Sequence, residues 1–250
     1  MSKELKKDDV IKHKKNAIKS LNHVFEAFIN NPDSKTYLKK TDILSYWIED
    51  YSNYLLQEKS FDYTKVLNFK RRDVVKINLG FNVGSEQGGL HFGIVLDNDI
   101  KKSSKVVTIL PLSSGTEEET YERDVYLGNE LYLKMLSKYN DLESSIKQEI
   151  QSIKNKIDTH LTSEVDDDLI DELNERVKNL NAESNKLIKF RKEIDKLKIG
   201  SIALTEQITT ISKMRIYTPK SRNDLLYGIK FSEDTMDKIN EKIKKLFIFE

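Results

Sequence analysis

Two long stretches of this chain step their apolar residues by three and four. Leu142, Ile146, Ile150, Ile153 and Ile157 form the first; Leu169, Leu173, Val177, Leu180, Leu187, Phe190 and Ile194 form the second. Charges of both signs fill the positions between them. That period lays the apolar side chains along one stripe of a helix. Two such helices joined across TSEVDDD predict an antiparallel coiled-coil hairpin over residues 130–198, closed off by Gly200. Arms of roughly thirty residues extend about 45 Å at 1.5 Å per residue.

The sequence on either side of the hairpin has the period of strands. Before it, Val75, Ile77 and Leu79 alternate with Val74, Lys76 and Asn78 and stop at Gly80. HFGIVLD reads as a mostly buried strand, NDIKKSSK as a hairpin connection, KVVTILPLSS as a third strand and TEEETYERDVYL as a weaker fourth. After the hairpin, SIALTEQITTISKMRIY is rich in Ile and Thr and reads as strand. A last helix from Ser232 sets Met236, Ile239, Ile243 and Leu246 on one stripe. Short strands joined by tight loops predict a small antiparallel sheet or barrel. The N-terminal region is helical. Asp8 and Asp9 suit a helix N-terminus, and Val10, Ile11, Ile18, Leu21, Phe25, Phe28 and Ile29 follow at helical spacing until Asn31 and Pro32. A second helix is expected from Thr41 and Asp42, with Leu44, Trp47, Ile48, Tyr51, Tyr54 and Leu55 on one face; the two pack on each other and on the next domain. The expected organisation is α+β. It has a helical domain at 1–66, a β region at 67–129, the inserted hairpin at 130–198, and a second β part with its C-terminal helix at 199–250.

Composition narrows the chemistry. The 250 residues include no cysteine, which excludes disulfides, thiolate metal sites and a cysteine nucleophile and suits a reducing compartment. His13, His23 and His160 have no ligand-like spacing, so neither metal nor cofactor is expected. The formal net charge is +1. A surface gripping duplex backbone over many phosphates is usually far more basic, whereas a site for a few single-stranded nucleotides needs only a local patch. No apolar run is long enough to span a bilayer, and the expected location is the cytoplasm.

One loop concentrates the remaining signal. Of nine glycines, Gly84, Gly88 and Gly89 flank Ser85, Glu86 and Gln87 in VGSEQGGLHFGIVLDND. Taken alone this is a hairpin connection whose glycines permit positive φ. Together with its flanks, KRRDVVKINLGFNVGSEQGGLHFGIVLDND resembles the opening of the MazF/PemK-type toxin endoribonucleases. That opening is a basic-Arg-Gly-Asp-Val strand, a Gly-Ser-Glu-Gln-Gly-Gly loop and a strand ending in an Asn-Asp turn. VVTILPLSS is similar to the family's third strand, SIALTEQITTISKMRI to its carboxylate-Gln-x-Arg-Thr-Ile-Asp-Lys-x-Arg strand, and the last helix matches too. The resemblance covers roughly residues 68–127 and 199–248.

The resemblance implies an SH3-like antiparallel β-barrel, here split by the hairpin. It implies metal-independent cleavage of single-stranded RNA, mRNA included, by attack of the ribose 2′-OH, within a toxin–antitoxin or phage-defence module. A protein antitoxin and a homodimer are the expected partners. Carried over residue by residue, the catalytic positions are His91, Ser113 and Glu206. Ser85, Glu86, Gln87, Ser114 and Gln207 are the expected RNA contacts, and Arg72, Lys213 and Arg215 the candidate sources of positive charge. The sequence departs from the family at several places. His91 stands where the family has Arg, Phe92 where it has Pro, Arg72 where it has Gly, Thr209 for Arg and Ser212 for Asp. A histidine can shuttle a proton near neutral pH, but it cannot hold the permanent charge of a guanidinium. The alternative is therefore a barrel without catalysis, acting as a protein- or RNA-binding module through its helical regions.

Overall fold

A computed structural model describes residues 5–98, 100–160, 167–197 and 200–248. Asp99 of the Asn-Asp turn, the TSEVDDD turn as far as residue 166 and the expected boundary at 198–199 lie outside the described residues. The chain divides into two compact units, one of residues 1–61 with 79–89 and one of residues 62–78 with 90–250.

The first unit is built on α1 (Lys7–Ile29) and α2 (Ser34–Gln57). Asp8 and Asp9 occupy the first turn of α1, as expected from the helix dipole. The helix break is shorter than its sequence suggests, and α2 begins about two turns before Thr41. Asn31 closes the break by accepting the Asp33 N–H on its side-chain oxygen at 2.9 Å, and KTYLKK then continues as helix. Across it, the Phe28 and Tyr37 rings meet at 5.2 Å. This hairpin does not cover the apolar stripe of α1. No α1 residue is buried, and Val10, Ile11, Ile18 and Ile29 are exposed.

Residues 79–89, the glycine loop, belong with these helices. Gly80 has φ +86, and a Cβ there would lie 2.7 Å from the Trp47 indole. The position therefore requires glycine twice over, for conformation and for space. The loop's neck is closed by Leu79 N–H to Gly89 O at 2.8 Å and Gly89 N–H to Gly80 O at 2.6 Å.

The second unit contains β1 (Val74–Asn78), β2 (Leu90–Val95), β3 (Val106–Ser114), β4 (Val125–Tyr126), α3 (Glu130–His160), α4 (Asp167–Asp195), β5 (Ser201–Ala203), β6 (Thr209–Ser212), β7 (Ile216–Thr218) and α5 (Glu233–Phe247). The fold is α+β. Every strand pairing is antiparallel, in the order β4-β5-β3-β2-β1-β7, with β6 also on β3. The path ends at β4 and β7, and no pairing among the described strands joins those ends into a barrel.

SIALTEQITTISKMRIY is three short strands rather than one. β5 and β6 both pair with β3, Ala203 opposite Leu112 and Thr209 opposite Ile109. The chain takes six steps between those partners where β3 takes three. The surplus is the 3-10 turn Thr205–Gln207. That turn is pinned by fully buried Thr205, whose N–H meets the Asp124 carboxylate at 3.1 Å and whose hydroxyl donates to Arg123 O.

One face of the sheet forms the main core. Val74, Ile94, Leu110 and Leu112 pack with Leu131 and Met135 of α3, Phe190 and Ile194 of α4, and Met236 and Ile239 of α5. The long hairpin is thus rooted in the sheet by its base. Its arms are antiparallel: Glu149 pairs with Arg176 and Lys156 with Glu172, while the Arg191 guanidinium lies over the Tyr139 ring at 5.9 Å. Ile146 and Ile153 are buried between the arms, but Ile150, Ile157, Ile170 and Val177 remain exposed. Two helices bury only the seam between them, so an apolar stripe wider than that seam keeps an open flank. At α5, Ser232 is the N-cap and accepts the Thr235 N–H.

Candidate functional site

The geometry of the site follows from strand register. β2 lies between β1 and β3, with Ile77 opposite His91 on one side and Gly93 opposite Pro111 on the other. Past that last pair β3 turns to β5, with Ser113 opposite Ile202, and the link from His91 to this stretch is its side chain, which reaches the carbonyl of Leu112, the residue before Ser113. On the far side Ile77 also pairs with Ile216. Ile216, Ile77 and His91 therefore form one row across β7, β1 and β2, and Ser113 follows at the end of β3 next to the Leu112 carbonyl that His91 meets. Gly93 tightens the sheet next to this row, since a Cβ there would come within 2.4 Å of Ile109.

His91 is half-buried, and its Nδ1 lies 3.2 Å from the Leu112 carbonyl. A carbonyl oxygen can only accept, so Nδ1 carries the hydrogen. In the neutral ring that leaves the Nε2 lone pair as the acceptor, the tautomer a general base needs. Arg215 ends the 3-10 turn Lys213–Arg215 and donates from Nε to Asn78 O at 2.8 Å. Asn78 is the β1 partner of Leu90, so Arg215 stands at the same end of the sheet as His91 and Ser113.

Ser113 is half-buried and Ser114 exposed, opposite Ile202 and Ser201 of β5. Both line a recess of about 500 Å3 with Glu118, Glu119, Tyr121 and Asp124. Burial pushes the Asp124 carboxyl up, and the charge of Glu206 adds to the rise, against the Thr205 N–H that favours ionisation. Glu206 itself is in the 3-10 turn, paired with Arg123 at 2.5 Å with both side chains half exposed. Gln207 shares that turn and donates its N–H to Leu204 O.

The structure does not bring all the expected residues to this end. Arg72 precedes β1 at its other end, where its N–H meets Val95 O; its guanidinium donates to Phe231 O and pairs with Glu233 at 2.6 Å. Arg72 is also the only described non-glycine residue with positive φ, at 77°. That explains why the resembling family has glycine there. Lys213 follows Ser212, the partner of Val106 at the far end of β3, and is only 2% exposed. Burial pushes its ammonium pKa down, opposed by Asp97. Ser85, Glu86 and Gln87 belong to the helical unit. There the Glu86 carboxylate accepts the Val83 N–H at 3.4 Å, and Asn82 Nδ2 donates to Gln87 O at 2.8 Å.

Sequence reasoning missed Asp124 and Arg123, which sit in ERDV with no motif around them; only the fold carries them to the Thr205 turn and Ser113. Among the described residues no group of three His, Asp or Glu side chains is arranged to hold a metal, and no helix is long and apolar enough to cross a membrane. A family model for the PemK-like, MazF-like toxin of type II toxin-antitoxin systems matches residues 70–181. The matched segment holds β1 to β4, α3 and about half of α4. No curated protein matches the chain.

Proposed function

We propose that this chain, which over residues 70–181 matches the PemK-like, MazF-like toxin family model, is an endoribonuclease toxin of that family that cleaves single-stranded RNA without a metal. The observation that carries the reading is the contact of His91 with the carbonyl of Leu112, the residue before Ser113, with Arg215 at the same end of the sheet. In this reading His91 Nε2 takes the proton of a ribose 2′-OH. The freed oxygen attacks the adjacent phosphorus, the P–O5′ bond breaks, and the products are a 2′,3′-cyclic phosphate and a 5′-OH. Arg215 and the Ser113 hydroxyl face the charge that develops on the phosphorane. The O5′ leaving group needs a proton, and the raised carboxyl of Asp124 beside Ser113 is suited to hold one. Glu206 orients that end of the site through Arg123. Ser85–Gln87, Ser114 and Gln207 remain the RNA contacts that the family resemblance implies. Membership of a type II system also implies a protein antitoxin as partner, and the resemblance a homodimer in the cytoplasm.

The test is incubation of the purified chain with mixed single-stranded RNAs in EDTA, followed by mapping of 5′ ends. The expected result is a set of discrete cuts bearing 5′-OH ends, lost in His91→Ala. Absence of cleavage above that variant would favour the binding-module alternative, for which the replacement of the family Arg by His91 is the specific indication.

A further inference from the structure

Beyond the row around His91, a second recess lies on the other side of the same strands, where α4 meets β7. It measures about 510 Å3, within the range of ligand pockets. Its walls include Lys186, Lys189 and Phe190 of α4, with Phe92 of β2 and Tyr217 of β7. We propose that this pocket is a subsite for a nucleotide flanking the cleaved bond, its base stacked on Tyr217 and its phosphates met by Lys189 and Lys220. The proposal rests on the RNA-cleaving reading above and adds a role for the inserted hairpin.

Three observations carry it. Tyr217 is 57% exposed on an edge strand, and the Lys76 and Lys220 ammonium groups lie 5.8 and 6.0 Å from its ring centroid. An exposed aromatic ring bracketed by lysines is the platform that single-stranded nucleic acid stacks on. The acidic groups nearby are largely met within the protein: Glu193 pairs with Lys76 at 2.9 Å, and Asp224 accepts the Lys220 and Ser221 N–H groups at 2.5 and 3.1 Å. Glu183 is the one other carboxylate in the wall, against Lys186, Lys189 and Lys220. Lys138 stands behind this wall, its ammonium donating to the Asp224 and Tyr227 carbonyls at 3.0 and 2.6 Å; burial and the neighbouring Lys186 ammonium push its pKa down, opposed by Asp224.

The third observation is position. Ile216 lies in the row with His91, and Tyr217 is the next residue, the extra one at a register shift in the edge strand; its ring lies by Lys76 and lines the pocket with Phe92. β7 and β2 are two strand spacings apart, about 10 Å. An RNA strand leaving His91 passes Arg215, rounds the open edge of β7 and reaches the pocket within a nucleotide or two. The α4 base, in the inserted hairpin, adds Lys186 and Lys189 to the Lys76 and Lys220 already at this edge.

The test uses the complete chain and fully 2′-O-methylated RNA, which cannot be cleaved, as a 12-mer and as a trimer. Affinities are read by fluorescence anisotropy. Tyr217→Ala and Lys189→Glu should each weaken the 12-mer at least fivefold and leave the trimer unchanged. Tyr217→Phe should bind like wild type, and 5-iodouridine in the 12-mer should photocrosslink to Tyr217. Circular dichroism melts matching wild type show that the variants fold. Wild-type affinity in Tyr217→Ala, with crosslinks confined to other residues, overturns the subsite while RNA binding stands. Failure of the wild-type chain to bind any of these RNAs overturns the RNA-cleaving reading, and the subsite with it.

Discussion

His91 faces two constraints that few positions combine. Its Nδ1 is committed to the Leu112 carbonyl, and its backbone is held opposite Ile77 of β1. Removing it takes away the proposed base, so His91→Ala should lower the single-turnover cleavage rate about a hundredfold or more. Arg215 is tied by Nε to Asn78 O, and the planar guanidinium both anchors and carries charge. Arg215→Lys should therefore fail to rescue Arg215→Ala, with both variants slower than wild type by an order of magnitude or more. Equal activity of the lysine variant and wild type would remove Arg215 from the chemistry. The neighbouring positive charges have different tasks. Arg71 donates to Leu96 O and Asn240, Arg72 pairs with Glu233, and buried Lys213 faces Asp97. A basic residue in a motif is thus as readily a strut as a phosphate ligand, and only its partners tell which.

Among the elements, the loop and the helix termini hold the sharpest dependencies. Gly80→Ala would force a Cβ against Trp47 at a φ of +86. It should cost about 1–3 kcal/mol and shift the fluorescence of Trp47, the single tryptophan of the chain. An unchanged emission maximum would mean that the loop does not rest on the indole. Glu130, in the first turn of α3, joins that helix to the start of α5. Burial pushes its carboxyl up, but hydrogen bonds from Lys134, Thr235 and the Ser232 N–H outweigh this and hold it below the usual range. A folded pKa below the unfolded one adds stability above the unfolded pKa, and that stability is lost as pH falls through the folded value. Thermal melts of wild type should therefore drop as pH falls from about 5 to 3, and Glu130→Gln should be less stable at pH 7 yet lose less over that interval.

For the whole molecule, a net charge of +1 limits how strongly RNA can be held by backbone contacts. With Arg215, Lys189 and Lys220 as the principal phosphate partners, log affinity against log salt should have a slope of about −2, at about −0.7 per contact for single strands. A slope steeper than about −5 would mean about seven phosphate contacts, more than these three groups provide.

Periodicity alone was enough to place the hairpin arms and α5, because a helix repeats its pattern over many turns and its caps are local. The strands VVKIN, HFGIV and VVTILPLSS were legible for the same reason, and the resemblance marked the loop, His91 and Ser113. What lay beyond one-dimensional reading depended on pairing between distant segments. β3 takes both β5 and β6 as partners, so the last Ile- and Thr-rich run breaks at Thr205 and carries Glu206 into a turn beside Arg123. The loop of Ser85–Gln87 joins the N-terminal helices because Trp47 fills the space above Gly80. Amino-acid order determined which elements form and which residues are candidates for the chemistry. Tertiary structure decided which of those residues meet, because register and burial are properties of pairs and the sequence states them one residue at a time.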